Sequence, residues 1–159
     1  MFVRADDKII RVRDNEILYK TTKDISHGDW KCPRKLPKGS IVRKGEEWFN
    51  YYGRWIRLYD EKDTCYDVEP YEIKNGLLQE MPKAETIEKL CDRFVLVGAG
   101  LYRTVNFEID DLIDNESPCY NSLEEILHSG HIVYGAIWTN KGLIYVAKMN
   151  DKGELELLC

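Results

Sequence analysis

The chain lacks a long apolar segment, an export signal and paired cysteines. No run approaches the roughly 18 apolar residues that a membrane-spanning helix requires. The segment from Met1 to Lys8 is polar and charged, without the apolar core of a signal peptide. The five cysteines are scattered, with no Cys-x-x-Cys pair, which in a chain without an export signal is typical of reduced thiols. These absences predict a cytoplasmic protein with no membrane segment.

The chain also lacks an excess of positive charge. Lysine and arginine number 23 against 28 aspartates and glutamates, so the formal net charge is −5. Because nucleic-acid binding needs a positive face to neutralise phosphates, this balance disfavours direct binding of nucleic acid. An acidic protein is compatible with a basic protein partner. With 159 residues, 43% of them hydrophobic, the chain is long enough for one folded domain or two small ones.

The first half of the chain has the pattern of β structure. Short strand-like runs alternate with glycine and proline, as expected for a small, tightly turned β domain. In the run from Arg54 to Tyr59, aromatic and charged side chains alternate with Ile56 and Leu58, which predicts a strand with one apolar face. The other runs are Lys8 to Arg13, Glu16 to Thr22, Ser40 to Lys44 and Glu47 to Tyr52.

Three segments between residues 36 and 73 resemble bacterial SH3-like barrels. Leu36-Pro-Lys-Gly-Ser-Ile-Val42 is similar to a glycine-then-strand step in those domains. Asn50-Tyr-Tyr-Gly-Arg-Trp-Ile-Arg-Leu58 is similar to their central hairpin, and Tyr66-Asp-Val-Glu-Pro-Tyr-Glu-Ile73 to their closing strands. The resemblance implies a closed barrel that binds peptides, cell-wall glycans or other proteins through aromatic grooves. The absence of an export signal disfavours the cell-wall role.

The second half predicts helices and a meander. Apolar residues at helical spacing predict a first helix from Ala84 to about Gly98, and Ser122-Leu-Glu-Glu125 matches a capping box that begins a second. Beyond Gly130, three runs joined by glycine-ended loops predict a three-stranded antiparallel meander. We therefore expect an α+β fold, with an N-terminal SH3-like β-barrel over residues 1–75. A small α+β domain over residues 76–159 carries two helices on an antiparallel sheet.

Aromatic residues concentrate between Trp48 and Tyr71, where two tryptophans and five tyrosines fall within 24 residues. These are too many for the interior of a domain of this size, so we expect part of the set to form an exposed surface. Tyrosine and tryptophan give large, rigid contact areas and are enriched where proteins bind other molecules. The residues predicted to form this binding surface are Tyr51, Tyr52, Arg54 and Trp55.

An acidic run from Glu108 to Glu116 holds five carboxylates. Paired carboxylates can act as general acid and base or bind a hard cation, but the spacing of an EF-hand is absent. A solvated loop, or a docking face for a basic partner, fits the run better. Within it, Asp110, Asp111 and Asp114 are predicted to make a secondary electrostatic contact.

The remaining chemical candidates are few. Cys119 precedes the predicted capping box, and His128 or His131 is the base that a cysteine-dependent enzyme would use. The two histidines alone are too few for a typical metal site, and Val95-Leu-Val-Gly-Ala-Gly100 lacks the third glycine of a dinucleotide-binding turn. No metal and no cofactor are therefore predicted.

The leading hypothesis is a non-catalytic, protein-binding protein of the bacterial or phage cytoplasm, of the inhibitor, immunity or adaptor type. It would dock through its aromatic and acidic surface. One alternative is a small enzyme that uses Cys119 with His128 or His131, although the sequence does not support catalysis. The other alternative is a peptide- or glycan-binding SH3-like module.

Overall fold

A computed structural model describes residues 1–27, 34–98, 103–114 and 120–158. The chain forms two compact units. We call residues 12–82 the central unit, and residues 1–11 together with 83–159 the terminal unit. The N-terminal strands therefore belong with the C-terminal part of the chain, whereas the sequence-based division assigned residues 1–75 to one domain and 76–159 to the other.

Strands are the most abundant regular structure of the described chain, and three short α-helices accompany them. The strands are β1 (Phe2–Arg4), β2 (Ile9–Arg11), β3 (Leu18–Thr21), β4 (Ile25–His27), β5 (Arg34–Leu36), β6 (Ile41–Asn50), β7 (Gly53–Tyr59), β8 (Cys65–Val68), β9 (Leu78–Glu80), β10 (Lys83–Ala84), β11 (Arg93–Val97), β12 (Arg103–Asn106), β13 (Ile132–Thr139), β14 (Gly142–Met149) and β15 (Leu155–Leu157). The helices are α1 (Pro70–Lys74), α2 (Ile109–Asp114) and α3 (Leu123–His128).

The central unit is built on a five-stranded antiparallel sheet in the order β8-β7-β6-β3-β9. A separate hairpin of β4 and β5 supplies Ile25 and Leu36 to the core of this unit. Strand β7 lies between β6 and β8, and its Leu58 is fully buried in that core. The other buried residues of the cluster are Val42, Tyr66, Val68 and Leu77.

The hairpin of β6 and β7 follows from local sequence. Asn50 pairs with Gly53 across a two-residue turn, and the φ of +137° at Gly53 is one that side chains disfavour. The register shifts between Lys44 and Glu47, as at a β-bulge. Within this shift, a Cβ on Gly45 would lie 2.4 Å from the Tyr59 ring, so a glycine is needed there.

The terminal unit contains a five-stranded antiparallel sheet in the order β12-β11-β13-β14-β15. A smaller antiparallel sheet has the order β10-β1-β2. Helices α2 and α3 contribute Leu112 and Ile126, both fully buried, to a core on the five-stranded sheet. The predicted meander is confirmed as β13, β14 and β15, and two further strands extend the same sheet.

The predicted first helix is wrong. The segment forms a short 3-10 turn over Glu88–Leu90 and then strand β11, which pairs with β12 and β13. The start of the second helix is confirmed, because Ser122 accepts a hydrogen bond from the amide of Glu125. The Glu125 carboxylate, however, accepts from the amide of Asn121 rather than from that of Ser122. The sequence also predicts a strand from Leu101 to Ile109, of which residues 101 and 102 lie outside the described residues; the strand observed is β12, over Arg103–Asn106.

The predicted fold class is also wrong. Among the described residues there are four sheets, none of which closes into a barrel, so the N-terminal β-barrel is not formed. Only three short helices accompany them, and the fold is mainly β rather than an α+β fold with a two-helix domain. The physical reason is that the central sheet stays open, with β8 and β9 as its two edges. None of the described helices is long and apolar enough to cross a membrane.

A candidate binding surface on the β6–β7 hairpin

Three aromatic side chains stand exposed at the end of the β6–β7 hairpin. Tyr51 is 99% exposed, Tyr52 is 86% exposed and Phe49 is 70% exposed. The two tyrosine rings contact each other edge to face, with centroids 5.9 Å apart. We call Phe49, Tyr51 and Tyr52 the hairpin tip. Large apolar side chains that no other part of a protein covers are often contact sites for a partner.

The backbone beneath the hairpin tip is held by Asn50. Its Oδ1 atom accepts a hydrogen bond from the Tyr52 amide at 2.8 Å and another from the Trp55 indole at 3.0 Å. One side chain thus ties the turn to the following strand. The exposed rings therefore project from a defined turn, which lowers the entropy that would be lost when they are ordered by a partner.

Below the tip, one face of the hairpin carries Trp48, Trp55 and Arg57, which we call the ladder. Trp48 and Trp55 are paired across the strands and stack with centroids 6.3 Å apart. The Arg57 guanidinium lies 5.5 Å from the centroid of the Trp48 ring. Such stacked cation–ring contacts are worth about 0.5–1 kcal/mol at exposed sites. The face on which they lie is the one opposite to the buried Leu58.

Asp67 on β8 anchors this ladder. Its carboxylate accepts hydrogen bonds from the Trp48 indole at 3.0 Å and from the Arg57 Nε at 3.0 Å. A third bond, from Arg57 Nη2, measures 3.3 Å. The Asp67 side chain is only 8% exposed, and its hydrogen bonds raise the pKa of Arg57 above the usual range. Trp48, Arg57 and Asp67 thus form one connected group.

The charges beside the tip are paired with each other. Arg54 binds Glu47 through Nε at 2.6 Å and also lies over the Phe49 ring, 5.6 Å from its centroid. Glu46 accepts a hydrogen bond from the Tyr59 hydroxyl at 2.8 Å, which raises the pKa of that tyrosine. Because these groups satisfy one another, the tip presents apolar rings rather than a net charge to a partner.

The structure places the predicted site residues in two groups. Tyr51, Tyr52, Arg54 and Trp55 share the hairpin, as expected, although the Trp55 ring is only partly exposed and stacks on Trp48. Asp110, Asp111 and Asp114 lie on α2, in the terminal unit. Asp110 is exposed and Asp111 is half-buried. The hairpin and the acidic helix thus belong to different units, and the electrostatic role of the three aspartates stays a prediction.

Several residues of the surface, Trp48 and Arg57 among them, were not predicted as members of the site. Phe49 is next to the turn and opposite Arg54, so its aromatic type beside a turn was the available signal. Asn50 also has a signal, because asparagine before a tight turn often accepts hydrogen bonds from the turn backbone. Asp67 has no such signal, because its own strand, β8, pairs with β7 only once the sheet is formed.

For the alternative of a cysteine-dependent enzyme, the structure describes the two candidate histidines but not the cysteine. Cys119 lies outside the described residues. The Nδ1 atom of His131 is 2.7 Å from both the Tyr120 hydroxyl and the Ser129 hydroxyl, and the latter donates to the carbonyl of Ile126 at 2.6 Å. This serine proton is therefore engaged by backbone. His128 is exposed at the end of α3.

Elsewhere the described thiols and carboxylates offer little chemistry. Burial raises the pKa of the Cys91 thiol to about 12, which keeps it protonated and unreactive at neutral pH. Within the ranges that the structure describes, no three histidine, cysteine, aspartate or glutamate side chains are grouped so that they could hold a metal ion.

Comparisons with known proteins found no similar protein-family model, no similar curated protein and no similar solved structure. The resemblance of residues 36–73 to bacterial SH3-like barrels therefore stays a prediction about sequence segments.

Proposed function

We propose that this chain is a non-catalytic cytoplasmic protein of the inhibitor, immunity or adaptor type, which binds a partner protein through the hairpin tip. The observation that carries the proposal is the exposure of Phe49, Tyr51 and Tyr52 on a turn held by Asn50. Aromatic side chains of this kind supply most of the binding energy in many protein interfaces, because each buries a large area at small entropic cost.

The pairing of the nearby charges supports a protein rather than a nucleic acid as the partner. Phosphate binding needs arginines or lysines whose charge is free for the ligand. Arg54 and Arg57 are instead bound to Glu47 and Asp67. A partner that covers the tip therefore gains mainly from apolar contact with the rings.

The same pairing disfavours a glycan. A sugar must find hydrogen-bond partners for its hydroxyls when it stacks on an aromatic ring. The Asn50 amide oxygen, the Glu47 carboxylate and the Trp55 indole already bond to groups of the hairpin itself. An apolar pocket on a partner protein makes no such demand and fits the tip better.

The acidic helix α2 gives the proposal a second part. Asp110 is exposed in the first turn of α2, and Asp111 follows it. In a protein with a net charge of −5, these carboxylates favour association with a basic partner by long-range attraction. This electrostatic contribution speeds encounter, whereas the tip supplies affinity.

A capture experiment tests the proposal. The immobilised full-length protein is exposed to lysate of its source organism, and the bound proteins are quantified by mass spectrometry. We expect a partner that wild type enriches to be captured at least tenfold less by the Tyr51→Ser/Tyr52→Ser variant, since loss of a single central aromatic contact costs about 2 kcal/mol. Both side chains are almost fully exposed, so their truncation should leave the fold intact.

The matched control is Tyr71→Ser. Tyr71 is an exposed tyrosine of the same unit, but it lies on α1 rather than on the hairpin. The Tyr71→Ser variant should capture the partner as wild type does. A partner retained equally by wild type, the tip variant and the control would refute binding through the tip.

A further inference from the structure

One arginine of the terminal unit lies over two exposed aromatic rings. The Arg93 guanidinium lies 4.3 Å from the centroid of the Phe107 ring and 5.0 Å from that of Trp138. Phe107 is 65% exposed and Trp138 is 48% exposed, so this arginine sits within an apolar surface rather than below it. Val105, also exposed, precedes Phe107 by two residues and widens the same patch.

Among the described residues no carboxylate pairs with Arg93, in contrast to the arginines of the hairpin. Its Nε atom is buried without a hydrogen-bond partner. The stacked arginines Arg54 and Arg57 each bind a carboxylate. The terminal nitrogens of the Arg93 guanidinium are not among the buried atoms, so they are the donors that a ligand can reach.

The neighbouring carboxylate, Asp92, is already bound to groups other than Arg93. It binds Arg4 at 2.6 Å, and its second oxygen accepts a hydrogen bond from the Trp138 amide at 2.7 Å. The bond to Arg4 holds the pKa of Asp92 below its usual range. Arg4 also donates to the Trp138 carbonyl at 3.0 Å. These bonds hold the backbone of Trp138 beside the arginine site.

The surroundings of the Arg93 guanidinium favour one kind of ligand. The guanidinium lies over both rings, and its hydrogen-bond donors lie in its own plane. A planar carboxylate can accept two parallel hydrogen bonds in that plane, and apolar groups beside it can contact Phe107 and Trp138. The positive charge and the surrounding rings are thus complementary to an acidic side chain with apolar neighbours.

We propose that Arg93, which lies over Phe107 and Trp138, is a carboxylate-binding site that takes a glutamate or aspartate flanked by apolar residues on a partner protein. The proposal does not rest on the hairpin tip. It assigns to the terminal unit a docking chemistry opposite in charge to that of the acidic helix α2.

Peptide binding to the full-length protein tests this site. The probes are the acetylated and amidated peptides Leu-Glu-Leu and Leu-Gln-Leu, followed through the Arg93 Nε–H and Trp138 indole N–H signals in NMR titrations. We expect wild type to bind the glutamate peptide at least tenfold more tightly than the glutamine peptide. Arg93→Gln should remove this difference, while Arg93→Lys, which keeps the charge but not the planar pair of donors, should retain only part of it.

Arg43→Gln is the matched control, since Arg43 also lies over a ring, that of Tyr59, but is already bound to Asp63. It should leave the preference for the glutamate peptide unchanged. Equal binding of the two peptides by wild type would overturn the proposal without recourse to any variant. So would tighter binding of inorganic phosphate than of the glutamate peptide at the same signals, since it would identify a general anion or nucleic-acid site.

Discussion

Replacing Leu58 with alanine should lower the free energy of unfolding of the central unit by about 3 kcal/mol, a change of roughly 100-fold in its unfolding equilibrium. Leu58 is fully buried on β7, among Val42, Tyr66 and Val68. Truncating a leucine in such a core removes apolar burial and leaves a cavity that the surrounding strands fill only in part. The expected loss is a large share of the stability of a small unit.

Native-state hydrogen exchange measures this loss in the right place. The slowest amides of β6 and β7 should exchange about 100-fold faster in Leu58→Ala than in wild type, because they report opening of the unit. Ile17→Ala is the control, since Ile17 is an aliphatic residue of the same unit that is 38% exposed. It should change exchange by no more than a few-fold. A loss below about 1 kcal/mol in Leu58→Ala would contradict the assignment of Leu58 to the core.

Replacing Asp67 with alanine should destabilise the central unit by about 2 kcal/mol and loosen the face of the hairpin that carries Trp48. The Asp67 carboxylate is nearly buried and accepts bonds from Trp48 and Arg57. Hydrogen bonds to a charged group contribute more than neutral ones, and their loss leaves a charged donor without its main acceptor. Urea denaturation followed by circular dichroism gives the loss in stability.

The response of the Trp48 indole distinguishes this prediction from a general loss of stability. In Asp67→Ala its N–H signal should move toward the position of a solvated indole, whereas Asp67→Asn keeps an acceptor and should move it less. Glu46→Ala is the control, because the Glu46 carboxylate is 54% exposed and should matter far less. An Asp67→Ala variant as stable as Glu46→Ala would show that Asp67 does not anchor the ladder.

The hairpin could be predicted from sequence because its pattern is local. Alternation along β7 correctly predicted that Ile56 and Leu58 face the core while Trp55 and Arg57 face the other way. Glycine at position 53 correctly marked the turn. The exposure of Tyr51 and Tyr52 follows from the same facts, since residues in a two-residue turn have no strand beside them to cover their side chains.

The first predicted helix is wrong because its apolar spacing fits either a helix or a buried strand. Ile87, Leu90, Cys91 and Phe94 fit one face of a helix, but all four are also used by the sheet cores of the terminal unit. A short run such as Phe94 to Val97 can be a buried strand when two partner strands are available. The partners are β12 and β13, and that pairing is not visible in the local sequence.

Neither the open edges of the central sheet nor the pairing of its charges could be predicted from local sequence, for the same reason. Whether a sheet closes depends on which strands become its edges, and here β3 pairs with the distant β9 while β8 stays at an edge. Likewise, the bond between Arg57 and Asp67 depends on the β7–β8 pairing, which local sequence does not show. Local patterns predicted the strands of the site, and long-range pairing determined its charge.

The most direct test of the central claim is hydroxyl-radical footprinting of the protein alone and in complex with the partner that it captures. Binding through the tip predicts that oxidation of Phe49, Tyr51 and Tyr52 falls severalfold in the complex, because these three rings are the ones covered. Oxidation of Tyr71, exposed on α1, should stay as it is in the free protein. Tip residues that remain as reactive in the complex as in the free protein would contradict the account.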